Sequence, residues 1–389
     1  MKEFIYHRSD LAKTYCKGLI GDSLLSYRSG LFLAAPRRTG KSTFLRKDLV
    51  PVLERHGFLP VYVDLWMEKT AEPAMLISSA IQNKLNLYAD TISSLAKKTG
   101  IEKLSLYGVI SINLNRSPVL PPNVTLADAL ETLVDVSKKP VALVVDEAQH
   151  ALSTKEGHTA MFALKSARDI MNLAGETIKL ALVFTGSNRD KLANLTLDHK
   201  QPFFGVEIQK FPLLGRDFSD KFAEHYNKEL VGNKLTGYSV HTAFSILGFR
   251  PDFLRSAARS AVNKFMEDTS KNLNELLVLS AEKMKTQYEE RLMEDLSKLT
   301  PLQSAVFEVL VKNHAEYFPF KDATLKAYQK ILGKPVGKTS VQTALDALRE
   351  KGFVWKESFG GYVLEDESYL SVFGSNNKQT NNSHNSPPQ

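Results

Sequence analysis

The sequence predicts an α/β fold built on a mostly parallel sheet, followed by a helical segment and a small unit of helices and a hairpin. Three observations carry that prediction. Short apolar runs alternate with amphipathic stretches up to about residue 215, helical periodicity alone continues to about 296, and 297–373 reads as three helices and two short strands. The expected domains are therefore 1–215, 216–296 and 297–373. The remainder, GSNNKQTNNSHNSPPQ at 374–389, is too polar to pack and is expected to be disordered.

The first strand, Gly30 to Ala34, opens the stretch LFLAAPRRTGKST at 31–43. Thr43, Phe44, Leu45 and Leu49 then recur at helical spacing. A turn between a buried strand and a helix N-terminus, closed by Gly40-Lys41-Ser42, is a phosphate-cradling loop: backbone N–H groups curl around oxygens, the lysine reaches the β/γ-phosphates, and the hydroxyl serves Mg²⁺. The phosphate-binding set is Ala35, Pro36, Arg37, Arg38, Thr39, Gly40, Lys41, Ser42 and Thr43. Ala35 stands where the pattern usually has its first glycine, so the backbone there needs an angle alanine tolerates. Pro51 falls inside the following helix and is expected to kink or end its first part.

Leu59 to Leu65 reads as a second strand and Pro73 to Lys97 as one long amphipathic helix. KLSLYGVISINL at 103–114 suggests a hairpin beside the Pro-rich connector 118–123, and Thr125 with Asp128 makes a near capping box for the next helix. The third strand, Val141 to Val145, is an unbroken apolar run that stops at Asp146 and Glu147. Such a run is a central strand buried on both faces, and ligands of open α/β sheets bind at the C-terminal strand ends. Asp146 is placed to hold Mg²⁺ through water, and Glu147 to orient or deprotonate a water attacking a γ-phosphate. Taken alone, the pair also fits two solvated acids capping a helix. KLALVFTG at 179–186 supplies a further strand, ending in Ser187 and Asn188, which suit a γ-phosphate or its attacking water.

With these motifs the sequence resembles the AAA+ branch of P-loop ATPases, near the archaeal and bacterial origin-recognition and STAND groups, over most of 1–373. The matching stretches are PRRTGKSTFL (36–45), LVVDEAQ (143–149), VFTGSN (183–188), PFFG (202–205) and FPLL (211–214). The resemblance implies a P-loop AAA+ core, a helical lid and a C-terminal winged helix-turn-helix, with ATP and Mg²⁺ as cofactors. It also implies an arginine finger and a lid arginine that senses phosphate. Val206 stands where related sequences carry an arginine after glycine, leaving Arg189 and Arg216 as alternatives; for the lid, Arg250 in Gly248-Phe249-Arg250-Pro251 comes first and Arg255 second. Solvated helix-end arginines are the plain alternative for each.

Composition narrows the class. A chain of 389 residues, 43% of them apolar, can bury a large core. Cys16 is its single cysteine, which excludes an internal disulfide and a cysteine metal cluster. No apolar run reaches the ~20 residues of a membrane span, and charges at 1–20 break any signal-peptide core. A cytoplasmic protein is expected. The net charge of +7 is uneven, with eleven Lys/Arg against five Asp/Glu in 1–60 but ten against nine in 296–373. Positive charge therefore gathers around the phosphate loop.

Segments 217–231, 238–247, 251–267 and 272–296 are expected lid helices. In the last unit, Thr300, Pro301 and Gln303 cap a helix, two more cover 322–332 and 339–350, and 353–358 with 362–366 form a hairpin around Phe359-Gly360-Gly361. A winged helix would present Thr339, Ser340, Gln342, Thr343, Asp346 and Arg349 to a major groove, with Lys334 and Lys338 at phosphates. Asp346, Glu350 and Glu365-Asp366-Glu367 speak instead for a protein partner. The expected function is an ATP-hydrolysing switch that reports nucleotide state to DNA or a partner, as a homo-oligomer or a partner-activated protein. The alternative is a nucleotide-dependent interaction or signalling switch that never touches DNA. A small-molecule kinase fits less well, because the paired acids suit water activation.

Overall fold

The computed structural model describes residues 4–68, 71–96, 110, 120–121, 124–173, 177–187, 192–197, 199–313, 317–356, 361–364 and 369–370. The chain forms two compact units. The first runs from His7 to Pro212 without Pro36–Thr39; the second takes those loop residues, the segment ahead of His7, and everything from Leu213.

The first unit contains α1 (Ser9–Ile20), β1 (Leu31–Ala34), α2 (Lys41–Phe44), a π-helical turn (Leu45–Leu49), α3 (Val50–Arg55) and β2 (Leu59–Asp64). It continues with α4 (Pro73–Asn86), α5 (Ala89–Ala96), α6 (Leu126–Ser137), β3 (Val141–Asp146), a 3₁₀ turn (Ala148–Ser153), α7 (Lys155–Leu173), β4 (Leu180–Gly186) and β5 (Ile208–Lys210). The strand order is β2-β3-β4-β1-β5, with every neighbouring pair parallel. Alternate residues of a strand face opposite sides. Val141, Leu143 and Val145 accordingly enter one apolar core with Phe32, Val61 and Phe184, while Ala142 and Val144 enter the other with Leu31, Leu33 and Val183. Burial on both faces is why β3 reads as continuous apolar sequence.

Three expectations change. The helix expected over 73–97 breaks after Asn86, where Leu87 and Tyr88 donate N–H bonds back only three residues, to Lys84 and Leu85, and tighten the last turn. At Pro51 the change is partial: the wide turn Leu45–Leu49 closes the first part just ahead of it, and helical structure then runs on from Val50 to Arg55. β5 is an additional edge strand, half exposed and without the apolar run that announces a central one. The capping box at Thr125 and Asp128 is present in full. The hairpin expected at 103–114, apart from buried Ile110, lies outside the described residues, as do most of the connector 118–123 and the tail 374–389.

The second unit holds α8 (Arg216–Asn227), α9 (Gly237–Ile246), α10 (Pro251–Glu267), α11 (Leu273–Ser297), α12 (Pro301–Asn313), α13 (Asp322–Leu332), α14 (Lys338–Glu350) and the antiparallel pair β6 (Val354–Lys356) and β7 (Tyr362–Leu364). Thr300 and Gln303 cap α12 reciprocally, at 3.2 and 3.3 Å. One core gathers Phe218, Phe222, Phe244, Leu254 and Leu277; the other gathers Phe307, Leu310, Tyr328, Val341 and Leu345. The 25-residue α11 serves both, with Leu273 to Ala281 in the first and Leu292 in the second. No helix among the described residues is long and apolar enough to cross a membrane.

Candidate functional site

β1 is buried along its length and delivers the chain to the loop. Ala35 N–H still bonds Gly186 O at 3.3 Å, continuing the ladder to β4. Ala35 is absent from the positive-φ residues, so alanine serves there without strain. Gly40, by contrast, has φ 90°, and a Cβ there would meet nothing within 4 Å, so it is the angle and not the space that requires glycine. Arg38 also takes a left-handed angle, φ 67°, with its side chain exposed beside that of Arg37. Thr39 Oγ1 closes the bend by donating to Pro36 O at 2.8 Å. Lys41 is 5% exposed, and its Nζ donates to Ala35 O at 2.7 Å, folding the ammonium back across the loop. Ser42 is half-buried and Thr43 exposed in the first turn of the helical run that follows.

The acids stand at the end of β3. Asp146 is fully buried, with Tyr62 Oη donating to Oδ2 at 3.0 Å, and with the Thr185 hydroxyl and Glu147 N–H (3.1 Å) donating to Oδ1. Burial, reinforced by the Asp146 carboxylate, pushes the Tyr62 phenol far up, so it remains a donor. Asp146 has no ion-pair partner among the described residues. A buried carboxylate held by neutral donors alone suits an approaching cation.

Glu147 leaves the strand in the left-handed region, φ 55° and ψ 42°, which costs a residue with a Cβ about 1–3 kcal/mol. That bend turns its side chain toward β4. Oε2 accepts from Ser187 Oγ at 2.6 Å, Ser187 N–H at 3.2 Å and Gln149 Nε2 at 2.5 Å. Asn188 and Arg189 lie outside the described residues.

Because β4 lies between β1 and β3 in a parallel sheet, the loop and the acids share one edge. Ala34 pairs with Gly186 and Val145 with Phe184, so the two strand tips are two strand spacings, about 10 Å, apart. Asp64 pairs with Asp146 in the next strand. Burial pushes its carboxyl above the usual range, Asp146 and Glu147 push further, and the Trp66 N–H opposes them.

The expected arginines belong to the second unit. Arg250 precedes α10, with its guanidinium over Tyr288 (4.8 Å) and Phe253 (5.4 Å), and within the same unit Arg38 lies 5.5 Å from that Phe253 ring. Arg216 pairs with Asp220 at 3.2 Å, and Arg255 is half-buried on α10. Val206 packs against the sheet core.

Sequence reasoning passed over Tyr62, Thr185, Gln149 and Asp48. Tyr62 and Thr185 occupy strand positions that read only as apolar filling. Gln149 had a legible signal, a polar residue between two buried alanines, Ala148 and Ala151. Asp48, in the π-helical turn, is 4% exposed and receives His7 Nδ1 at 2.7 Å and Arg8 N–H at 3.1 Å.

A five-stranded parallel sheet with β1 beside β4, a lysine loop at one strand end and an acidic pair at another is the architecture of the AAA+ fold class. Solved structures share the fold over nearly the whole chain. A Walker-type ATPase of Pyrococcus abyssi superimposes with a TM-score of 0.57 at 16% identity, covering 96% of this chain and 97% of that one. The ORC2 protein of Aeropyrum pernix, in ADPNP and ADP complexes, gives 0.55 at 13% identity and covers 98% of each chain. No family model and no curated protein matches the sequence.

Proposed function

We propose that this protein binds Mg·ATP at the tips of β1, β3 and β4, hydrolyses it to ADP and phosphate, and couples nucleotide state to DNA or a protein partner through 297–373. The observation that carries this reading is the meeting of the Lys41 loop and the Asp146-Glu147 pair on one sheet edge. That a like-folded ORC2 protein is known in ADPNP and ADP complexes supports it.

Lys41 gives up its bond to Ala35 O and meets the β/γ-phosphates, while the loop's N–H groups take the remaining oxygens. The Ser42 hydroxyl and the Asp146 carboxylate are the hard oxygen donors that would hold Mg²⁺, which supplies charge neutralisation on the phosphates. Glu147 orients a water for in-line attack on the γ-phosphorus and takes up its proton as the bond to the β-bridging oxygen breaks. Ser187, with Asn188 beyond it, reports the γ-phosphate, and Arg250 is the lid residue that follows occupancy. Glu147→Gln should retain ADP binding within a few-fold and lower turnover by about 10²–10⁴, the usual worth of a positioned base. Equal steady-state rates for the variant and the wild type would remove Glu147 from this role.

A second reading, a protein partner instead of DNA, has a specific observation behind it. On α14, Gln342 Nε2 donates to Asp346 Oδ1 (2.9 Å) and to Tyr362 Oη (3.2 Å), and Arg349 approaches Asp346 at 3.5 Å. Half of the groove-reading set is thus engaged at home, leaving Thr339, Ser340 and Thr343 exposed. Retention of the full chain on duplex DNA across a salt series separates the two, since phosphate-driven binding falls steeply with salt. Light scattering with and without ATP tests for a homo-oligomer.

A further inference from the structure

Gln149 has no part in the reaction as described, yet it is 4% exposed and touches both polar groups at the reacting end of the sheet. Its Nε2 donates to Glu147 Oε2 at 2.5 Å and reaches Ser187 Oγ at 3.4 Å. Its Oε1 is buried and has no donor among the described residues. Reversing the amide would set that oxygen against the carboxylate, so the orientation is fixed by charge. A buried acceptor left unmet costs about 1–3 kcal/mol. Gly186 makes room for it: a Cβ there would stand 2.7 Å from Gln149 Oε1.

The consequence lies in the lone pairs of Glu147. Oε2 collects three donors, Ser187 N–H, Ser187 Oγ and Gln149 Nε2, which crowd that oxygen and fix it from two elements, the tip of β4 and the 3₁₀ turn behind Glu147. Oε1 takes no bond from the described residues. We propose that Gln149 is a positioning residue, pinning Oε2 to the tip of β4 so that Oε1 alone receives the attacking water. This rests on the hydrolytic reading given above.

Gln149→Met keeps the volume and removes both the donor and the acceptor of the amide. In the full-length protein, steady-state ATP hydrolysis, affinity for a fluorescent ADP analogue and thermal unfolding would be compared among wild type, Gln149→Met, Glu147→Gln and the double variant. The expected result is a fall in kcat of about 10–100-fold with KM and ADP affinity held within about twofold, and a melting temperature unchanged or raised because the unmet acceptor is gone. In the Glu147→Gln background the same change should have no further effect, because Gln149 acts through that carboxylate. Gly186→Ala, which crowds the amide without deleting it, should also lower kcat. Wild-type turnover matched by Gln149→Met overturns the proposal alone, as does a kcat loss accompanied by equal losses of ADP affinity and melting temperature. A wild type that binds the ADP analogue but releases no phosphate from ATP overturns the hydrolytic reading and this proposal with it.

Discussion

The two halves of the strand-end site are built differently. At the tip of β1 the ammonium of Lys41 bonds a main-chain oxygen of its own loop, Ala35 O, at 2.7 Å. At the tips of β3 and β4 the carboxylates are enclosed by Tyr62, Thr185, Ser187 and Gln149. The basic half rests on a contact within its own loop; the acidic half is part of the fold. Substitution of Lys41 in the first should therefore cost binding, whereas loss of a donor to the buried Asp146 in the second should cost stability.

The largest effect expected from this contrast is at Lys41. Lys41→Ala should weaken ADP binding by about 100-fold, since a charge-assisted phosphate contact disappears. Loss of the hydrogen bond to Ala35 O should by itself cost about 0.5–1.5 kcal/mol of unfolding free energy. Titration calorimetry paired with urea unfolding measures both, and a large stability loss would erase the distinction between the halves. Next comes Tyr62→Phe, which removes a hydrogen bond to a buried carboxylate and should cost about 1.5–3 kcal/mol while ADP affinity stays within a few-fold. The smallest effect is at Asp64. Its carboxyl is raised in the folded protein, so its contribution to stability is present at acid pH and is lost as pH rises through the folded value. Asp64→Asn should accordingly gain stability at pH 7 and nothing near pH 3. A gain that persists at acid pH would mean the charge on the Asp64 carboxylate is not its cause.

What could be read in advance follows the same division. β1, β3 and β4 announce themselves because strands covered on both faces must be apolar throughout, and the ends of those runs mark the strand tips where Lys41, Asp146 and Glu147 meet. The helix caps at Thr125 and Thr300 are legible because the capping partner stands a fixed three residues away. Tyr62 and Thr185 escape notice since their partner, Asp146, is distant in sequence and the register that unites them emerges only when the sheet forms. β5 has too little burial to leave a pattern, and the break at Leu87-Tyr88 carries no glycine or proline to signal it.

The wide helical turn at Leu45–Leu49 has a mechanical consequence. By turning Asp48 inward it hitches the entering chain, through His7 and the Arg8 amide, to the same helical run that begins at Lys41. Arg8 adds a second hitch, donating to Pro212 O at 2.7 Å and lying over the Phe211 ring at 4.6 Å. A pull on the chain at His7 would thus reach the helical run that begins at Lys41 without crossing the sheet.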